Sequence, residues 1–536
     1  MRPWEASYPK ECRWDVPIAQ GTLPSLLDDI AVRHGDRPAL EYRGRVLSFA
    51  ALKARADRVA AGLMATGVAP GDCVALYLPN TMWHPICLFA ALRCGARVVM
   101  LSALDAKREL AHKMRDAGAT LLVTTGLGSL VANAEWLVKG GAVTRVLLAP
   151  DAEWGGEDAA HGFAPLPEAE PPASWPPVAP ADIALLQYTG GTTGTPKGAM
   201  LSHGNLTSAV AIYRAWRDSG TVPDGEGRVL LVLPLFHIFA LTTVLLRNLA
   251  EGNTCHLRLR FDAAEAVRDI EHLRITHLNG VPTMWIGILN LPGVKRESFA
   301  SLRIASSGGA PMPFDVQQKL EALIGIRIGG GWGMTETCPA GTRIPPHAPR
   351  RAGQVGLPLP RVELRIVDPD APTRALPPGE TGEIAVRGPN VFQGYWNRPA
   401  ENARAFADGW FLTGDMGWMD GDGYFTLVDR RKNMILSGGF NVYPAQVEGA
   451  IYEHPDVAEC IVIGISDAYR GQAAKAYVAL KPGARGFTLE ELRLFLADRL
   501  GKHEMPAALE IRDALPKSPA GKLLASALRA EIEGAA

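Results

Sequence analysis

The stretch Tyr188-Thr189-Gly190-Gly191-Thr192-Thr193-Gly194-Thr195-Pro196-Lys197-Gly198 constrains this chain more than any other. It follows the apolar run Ile183-Ala184-Leu185-Leu186, which reads as a strand, so the glycines and hydroxyls fall where a strand ends. Glycines let backbone N–H groups approach an anion and reach positive φ, threonines donate further hydrogen bonds, and a lysine adds charge. The pattern therefore predicts a cradle for a polyphosphate. It differs from a Walker A loop, in which Ser or Thr follows the lysine and a helix opens. Here Pro196 precedes Lys197 and Gly198 follows it, and both disfavour helix. A loop that was merely flexible would have no reason to join repeated threonines and glycines to a Pro-Lys pair.

Short β-branched runs alternate with amphipathic segments through roughly the first 400 residues. Leu52, Ala56, Val59 and Leu63 recur at helical spacing with Gly67 as a stop, and Val74 to Leu78 then reads as a buried strand. Further strands are expected over Thr120 to Val123, Val146 to Leu148, Val229 to Leu233 and Leu302 to Ala305. This alternation predicts an α/β fold with mostly parallel sheets. The proline-dense stretch from Ala164 to Pro180 is expected to be an exposed connection rather than a domain boundary. Past about residue 360 the runs shorten and the turns tighten, as in Glu383 to Val386 and Gly423 to Val428. Asp420-Gly421-Asp422-Gly423 opens like a calcium loop, but its twelfth position is Arg431 rather than glutamate, so a turn between strands is expected. Beyond Lys432 the chain reads as α+β, with helices expected around Pro444 to His454 and Leu489 to Leu500.

Composition excludes several classes of function. At 536 residues, 47% of them apolar, the chain exceeds a single core, so two or more domains are expected. A formal net charge of −1 gives no footprint for nucleic acid or an anionic membrane, and the ligand is expected to be small. The seven cysteines (Cys12, Cys73, Cys87, Cys94, Cys255, Cys338, Cys460) form no CxxC pair, and their odd number argues against a closed disulfide framework and for a reducing compartment. Met1-Arg2-Pro3-Trp4-Glu5 lacks the apolar core of a signal peptide, and no apolar run nears the ~20 residues of a spanning helix. A soluble cytoplasmic protein is expected, monomer or homodimer, with peripheral membrane contact open if its substrate is a lipid.

The chain resembles the adenylate-forming superfamily, which contains acyl-CoA synthetases, peptide-synthetase adenylation domains and beetle luciferases. The likeness begins at Thr189 to Lys197 and continues in family order through Pro234-Leu235-Phe236-His237-Ile238, Ser307-Gly308-Gly309-Ala310-Pro311, Gly331-Trp332-Gly333-Met334-Thr335-Glu336 and Trp410 to Asp415. It ends with Asp429-Arg430-Arg431-Lys432, Gly438 to Pro444, and Pro516 to Lys522. Through Gly331 to Thr342 it most resembles medium- and long-chain fatty-acid and dicarboxylate CoA ligases. The resemblance implies a large N-terminal domain over 1–431, with layered, mostly parallel sheets and a small β-barrel-like subdomain. A small mobile α+β lid over 432–536 would hinge at Lys432. The implied reaction joins a carboxylic acid to AMP and then to coenzyme A, using ATP and Mg2+ and releasing AMP and pyrophosphate. A fatty acid is the expected substrate. Dicarboxylate or aryl acids, a carrier protein as acceptor in trans, and a luciferase-like relative remain alternatives.

Such a reaction must relieve repulsion between a carboxylate and the nucleotide phosphates, and one charge pair at about 4 Å in an effective dielectric of 20 is worth ~4 kcal/mol. The resemblance assigns Thr189, Gly190, Gly191, Thr192, Thr193 and Lys197 to the β- and γ-phosphates. It assigns Glu336 to magnesium, a hard cation that prefers carboxylate oxygen, although Glu336 alone also reads as a helix-start acid. Gly309, Ala310, Pro311, Gly331, Trp332 and Gly333 would form the adenine slot with Met334 beside it, and Thr335 would meet the α-phosphate. Asp415 would accept from the ribose diol, with Arg430 on the ribose and phosphate side. Alone, Asp415 is good turn chemistry after Thr413-Gly414 and Arg430 a surface charge. Lys522 would be the adenylation lysine, although Leu523-Leu524-Ala525-Ser526 replaces the basic residues common after it, which weakens CoA-phosphate contacts there. Gly438-Gly439 would line a pantetheine tunnel, or else form a β-turn. Arg260 and Arg431 are further candidates for CoA phosphates. His237 would stand between acyl pocket and tunnel, or be a core histidine. Amino-acid-activating members usually carry aspartate there, which weighs against an amino-acid substrate.

Overall fold

The computed structural model describes residues 2–535 except 190–195, 218–221, 311, 313, 352, 431–432, 438–439, 468–470, 498, 502–503 and 519–521. Two sheets of seven strands form its body. In the first, the strands run in the order Ile328–Gly329, Ile304–Ser307, His277–Gly280, Arg228–Leu231, Thr254–Leu257, Pro38–Tyr42, Arg45–Ser48, all parallel until the last pair. In the second the order is Ala164–Pro165, Arg145–Ala149, Leu121–Thr125, Cys73–Tyr77, Arg97–Met100, Ile183–Thr189, Lys197–Ser202, again parallel up to a closing antiparallel hairpin. Strands such as Cys73–Tyr77 and Leu121–Thr125 are buried throughout because helices cover both faces of a parallel sheet. The helix Trp83–Arg93 is buried on every side and packs on Phe49–Ala65. Its one cation, Arg93, is paired with Asp28 and Asp57, as a buried charge must be.

A third sheet, also of seven strands, orders Thr342–Arg343, Gln354–Pro358, Phe425–Arg430, Trp410–Met419, Gly382–Arg387 and Glu363–Val367, with Phe406–Ala407 beside Trp410–Met419, and is antiparallel throughout. A fourth, in a small C-terminal domain, orders Phe440–Val442, Ile435–Ser437, Gly471–Leu480 and Val457–Asp467, with Ala508–Arg512 beside Gly471–Leu480. Its two apolar clusters draw only on residues from Ile435 onward. The α/β expectation therefore holds, with the parallel sheets in the N-terminal part.

Several boundaries moved for local reasons. Leu302 closes a turn by donating its N–H to Phe299, so the strand expected from 302 starts at Ile304. Gly423, at φ +84°, belongs to the turn, where Asp420 accepts from the N–H groups of Asp422 and Tyr424. The helix expected to Leu500 stops at Leu496. The eight residues Phe239–Leu246 form a π-helix, which the apolar run did not announce. Among the described residues no helix is long and apolar enough to cross a membrane. All seven cysteines are buried thiols, and burial pushes Cys73 and Cys94 up to about 12.

Candidate active site

The hairpin that closes the second sheet carries the first functional group. Thr189 pairs with Lys197 as the last partners of the antiparallel strands Ile183–Thr189 and Lys197–Ser202. Gly190, Gly191, Thr192 and Thr193 lie outside the described residues, as does Pro311. The arms are fixed from behind: Tyr188 donates to Asp116 at 2.7 Å, and Arg398 holds the other oxygen of that carboxylate at 2.9 Å. Lys197 Nζ stands 3.6 Å from Glu401 and 5.6 Å from the Tyr395 ring centre.

Gly331, Trp332 and Gly333 run beside the segment Pro339 to Thr342 at backbone contact. A Cβ on Gly331 would overlap the Thr342 carbonyl, one on Gly333 the Pro339 carbonyl, and one on Gly341 the Trp332 ring. Glycine is thus demanded here by close approach rather than by φ. The buried Trp332 indole donates to Asp415 Oδ2 at 2.7 Å, and the Asp415 N–H donates to Thr413 Oγ1 at 3.1 Å. Asp415 is 3% exposed and faces Arg430 in the strand register. Gly414, within the strand Trp410–Met419, reaches φ +72° where that strand's register with Gly382–Arg387 shifts. Asp415 is therefore a buried carboxylate with one oxygen held by an indole rather than a residue of a surface turn.

Glu336 sits in the short turn Thr335–Thr337, which follows Met334 and ends at Cys338 with φ 56°. It is 5% exposed, its Oε1 accepts from Tyr395 Oη at 2.8 Å, and its backbone carbonyl accepts from Phe392 N–H at 2.8 Å. Among the described residues no group of three or more acidic, His or Cys side chains converges as a ready-made metal cage. One buried carboxylate nonetheless fits magnesium in a nucleotide site, where phosphates and water supply most ligands.

His237 lies just before the π-helix, with its Nδ1 accepting from Phe239 N–H at 3.2 Å. The Phe239 ring covers Gly308, and Gly309, at φ +79°, lies against the C-terminal lysine. A Cβ at Gly309 would stand 3.0 Å from Lys522 Cε and 3.4 Å from its Nζ. Burial, and then the nearby Lys522 charge, push the His237 imidazole down to about 4. Lys522 itself is held by its neighbours: Ser518 and Lys522 are bonded to one another, and Lys517 bridges Leu523.

The structure thus links Lys197, Tyr395 and Glu336 in one set of contacts, Trp332 and Asp415 in a second, and Gly309, His237 and Lys522 in a third, while Ala310 is exposed and Thr335 half-buried. Arg260 is exposed in the bend after Thr254–Leu257 and, among the described residues, makes no hydrogen bond or ion pair. Arg431, Lys432, Gly438 and Gly439 lie outside the described residues. Tyr395 was missed; the only hint was a glycine before two aromatics in Gly394-Tyr395-Trp396.

Comparison with known proteins agrees with this geometry. Residues 27–396 match the model of the AMP-binding enzyme family, and residues 446–522 that of the AMP-binding enzyme C-terminal domain. The chain is 35% identical to a long-chain-fatty-acid–CoA ligase of Bacillus subtilis (strain 168), covering 98% of this chain and 97% of that one. It is 39% identical to a feruloyl-CoA synthase of an Amycolatopsis species, covering 93% and 95%. Its fold is similar to that of ATP-bound MatB from Rhodopseudomonas palustris, with a TM-score of 0.83, 30% identity and coverage of 95% and 99%. Motifs, geometry and full-length likeness agree: the chain belongs to the AMP-binding enzyme family, within the adenylate-forming superfamily.

Proposed function

We propose that this protein is an ATP-dependent acyl-CoA synthetase for a carboxylic acid with an apolar body, in the first instance a medium- or long-chain fatty acid. The observation that carries the reading is the Lys522 side chain lying against Gly309 beside His237, far in sequence from both. There an ammonium can meet the acid's carboxylate and the α-phosphate together. Lys197 would hold the β- and γ-phosphates, Asp415 the ribose, and Glu336 the magnesium, which supplies charge neutralisation when bound. The carboxylate oxygen forms a bond to the α-phosphorus as the bond to pyrophosphate breaks. Coenzyme A's sulfur then bonds to the acyl carbon, AMP leaves, and the thiol proton is released.

Apolar side chains support an apolar acid: Phe239 covers Gly308, Val281 stands against Gly309, and Ile344 lies beside Gly330. An aryl acid is the second reading, favoured by the 39% identity to the feruloyl-CoA synthase. The separate apolar clusters on either side support a boundary at 431/432, with Lys432 as the hinge. Buried thiols suit a cytoplasmic setting. A pyrophosphate-release screen over straight-chain, dicarboxylic and aryl acids tests the acid. Coenzyme A offered beside a phosphopantetheinylated carrier protein tests the acceptor. Pyrophosphate release with none of the acids would overturn the reading, and transfer to the carrier protein alone would overturn the thioester step.

A further inference from the structure

Two groups in this site must keep a fixed distance if one nucleotide is to meet both: the cation on the hairpin, Lys197, and the carboxylate at Glu336. They lie on segments far apart in sequence. The segment Phe392 to Trp396 touches both. Its Phe392 N–H donates to the Glu336 carbonyl at 2.8 Å, and its Tyr395 hydroxyl donates to Glu336 Oε1 at 2.8 Å. On the other side, Met200 N–H donates to the Gly394 carbonyl at 2.9 Å, Trp396 N–H donates to the Gly198 carbonyl at 2.8 Å, and Ala199 bridges Tyr395. The strand that starts at Lys197 is therefore sewn to the segment that holds Glu336.

Tyr395 is itself held by three constraints. Asn402 accepts its backbone N–H at 2.7 Å and donates to its carbonyl at 2.9 Å. Gly394 reaches φ +116°, where a side chain would be strained, and a Cβ there would stand 3.0 Å from Asn402 Oδ1. Phe392 packs edge-on against the Tyr395 ring, with centres 4.9 Å apart. The clamping helix, Pro399–Ala405, also carries Glu401, which faces Lys197. A core tyrosine would need none of this for its hydroxyl. A glutamate side chain has rotatable bonds, and a fixed bond to Oε1 sets the direction of Oε2 as well.

We propose that Tyr395 is a positioning residue: it aims the Glu336 carboxylate at the divalent cation carried by the nucleotide and sets that carboxylate's distance from Lys197. This rests on the reading of Glu336 as the magnesium ligand.

The test uses the full chain and Mn2+ as probe, with affinity in the presence of ATP read by electron paramagnetic resonance. Tyr395→Phe is expected to weaken Mn2+ binding by about tenfold, the scale of a lost hydrogen bond to a charged group. The Mg2+ half-saturation of pyrophosphate exchange should rise in parallel while the KM for the acid stays put. In a Glu336→Gln background the same change should have no further effect. Trp396→Phe, which alters packing next door and keeps the hydroxyl, should leave Mn2+ affinity unchanged. An equal loss in Trp396→Phe, an unchanged affinity in Tyr395→Phe, or full additivity with Glu336→Gln would each overturn the proposal. Should Glu336→Gln alone leave Mn2+ binding intact, the metal reading of Glu336 falls, a result distinct from the other three.

Discussion

At neutral pH the His237 imidazole is uncharged, because burial and the Lys522 ammonium both oppose its protonation. It can therefore wall the reaction space without competing with Lys522 for the substrate's carboxylate. The 15N shifts of His237 are expected to report a neutral ring from pH 5.5 to 8, with protonation only near 4. In Lys522→Ala its pKa should rise, since one of its two opposing influences is gone. In the same variant adenylation should slow by about a thousandfold, the worth of one charge pair at that range. Thioester formation from supplied acyl-AMP should stay largely intact, and an equal loss in both steps would show that Lys522 is not specific to adenylation. These residues were legible because each sits in a motif whose neighbours narrow its meaning: Asp415 after Thr413-Gly414, Lys522 after Gly521. Tyr395 was not, since its hydroxyl finds Glu336 59 residues away and only the folded chain brings them together.

Among the elements, the glycines at 331, 333 and 341 matter through what they admit, namely two backbones at contact distance. Gly333→Ala forces a methyl into the Pro339 carbonyl, which cannot yield as a side-chain end can. A loss of about 1–3 kcal/mol is expected from such overpacking, together with weaker ATP binding, both visible in thermal melts with and without nucleotide. The helix Pro444–Tyr452 carries a different constraint. Glu448 is half-buried, accepts from Val462 N–H at 2.7 Å, and is pushed up to about 8 by desolvation. Between about pH 4.5 and 8 the unfolded chain has released a proton that the folded one keeps, so stability falls as pH rises through that window. Glu448→Gln should flatten the dependence by a few kcal/mol, read as the shift in denaturation midpoint between pH 5 and 8. Sequence periodicity located this helix but not the acid's desolvation, because Val457–Asp467, which hydrogen-bonds it, pairs from farther along the chain.

For the molecule as a whole, alternating apolar runs were enough to predict parallel α/β layers, since the local period of each strand and helix survives folding. Strand order was beyond reach. Arg228–Leu231 lies between Thr254–Leu257 and His277–Gly280, an arrangement decided by crossover helices rather than by any local signal. The orientation seen here puts Lys522 at Gly309, where the proposed adenylation would use it. On the function proposed above, that lysine would give way to a thiol for thioester formation, and the C-terminal domain would turn about the proposed hinge, Lys432. Lys432→Pro fixes φ near about −65° and restricts the residue before it. It should impair one half-reaction more than the other when each is assayed separately, whereas equal, mild effects would move the pivot to a neighbouring residue.

The burial of all seven cysteines has a consequence for chemical selectivity. An acyl-adenylate acylates whatever thiolate it meets, and a protein that makes one is exposed to its own product. With the thiols of Cys73 and Cys94 held near 12, their thiolate fraction at neutral pH is negligible, and none of the seven side chains opens to solvent. The enzyme thereby leaves the incoming cofactor without a rival nucleophile of its own kind, and self-acylation on sulfur is suppressed by where the fold keeps its sulfur.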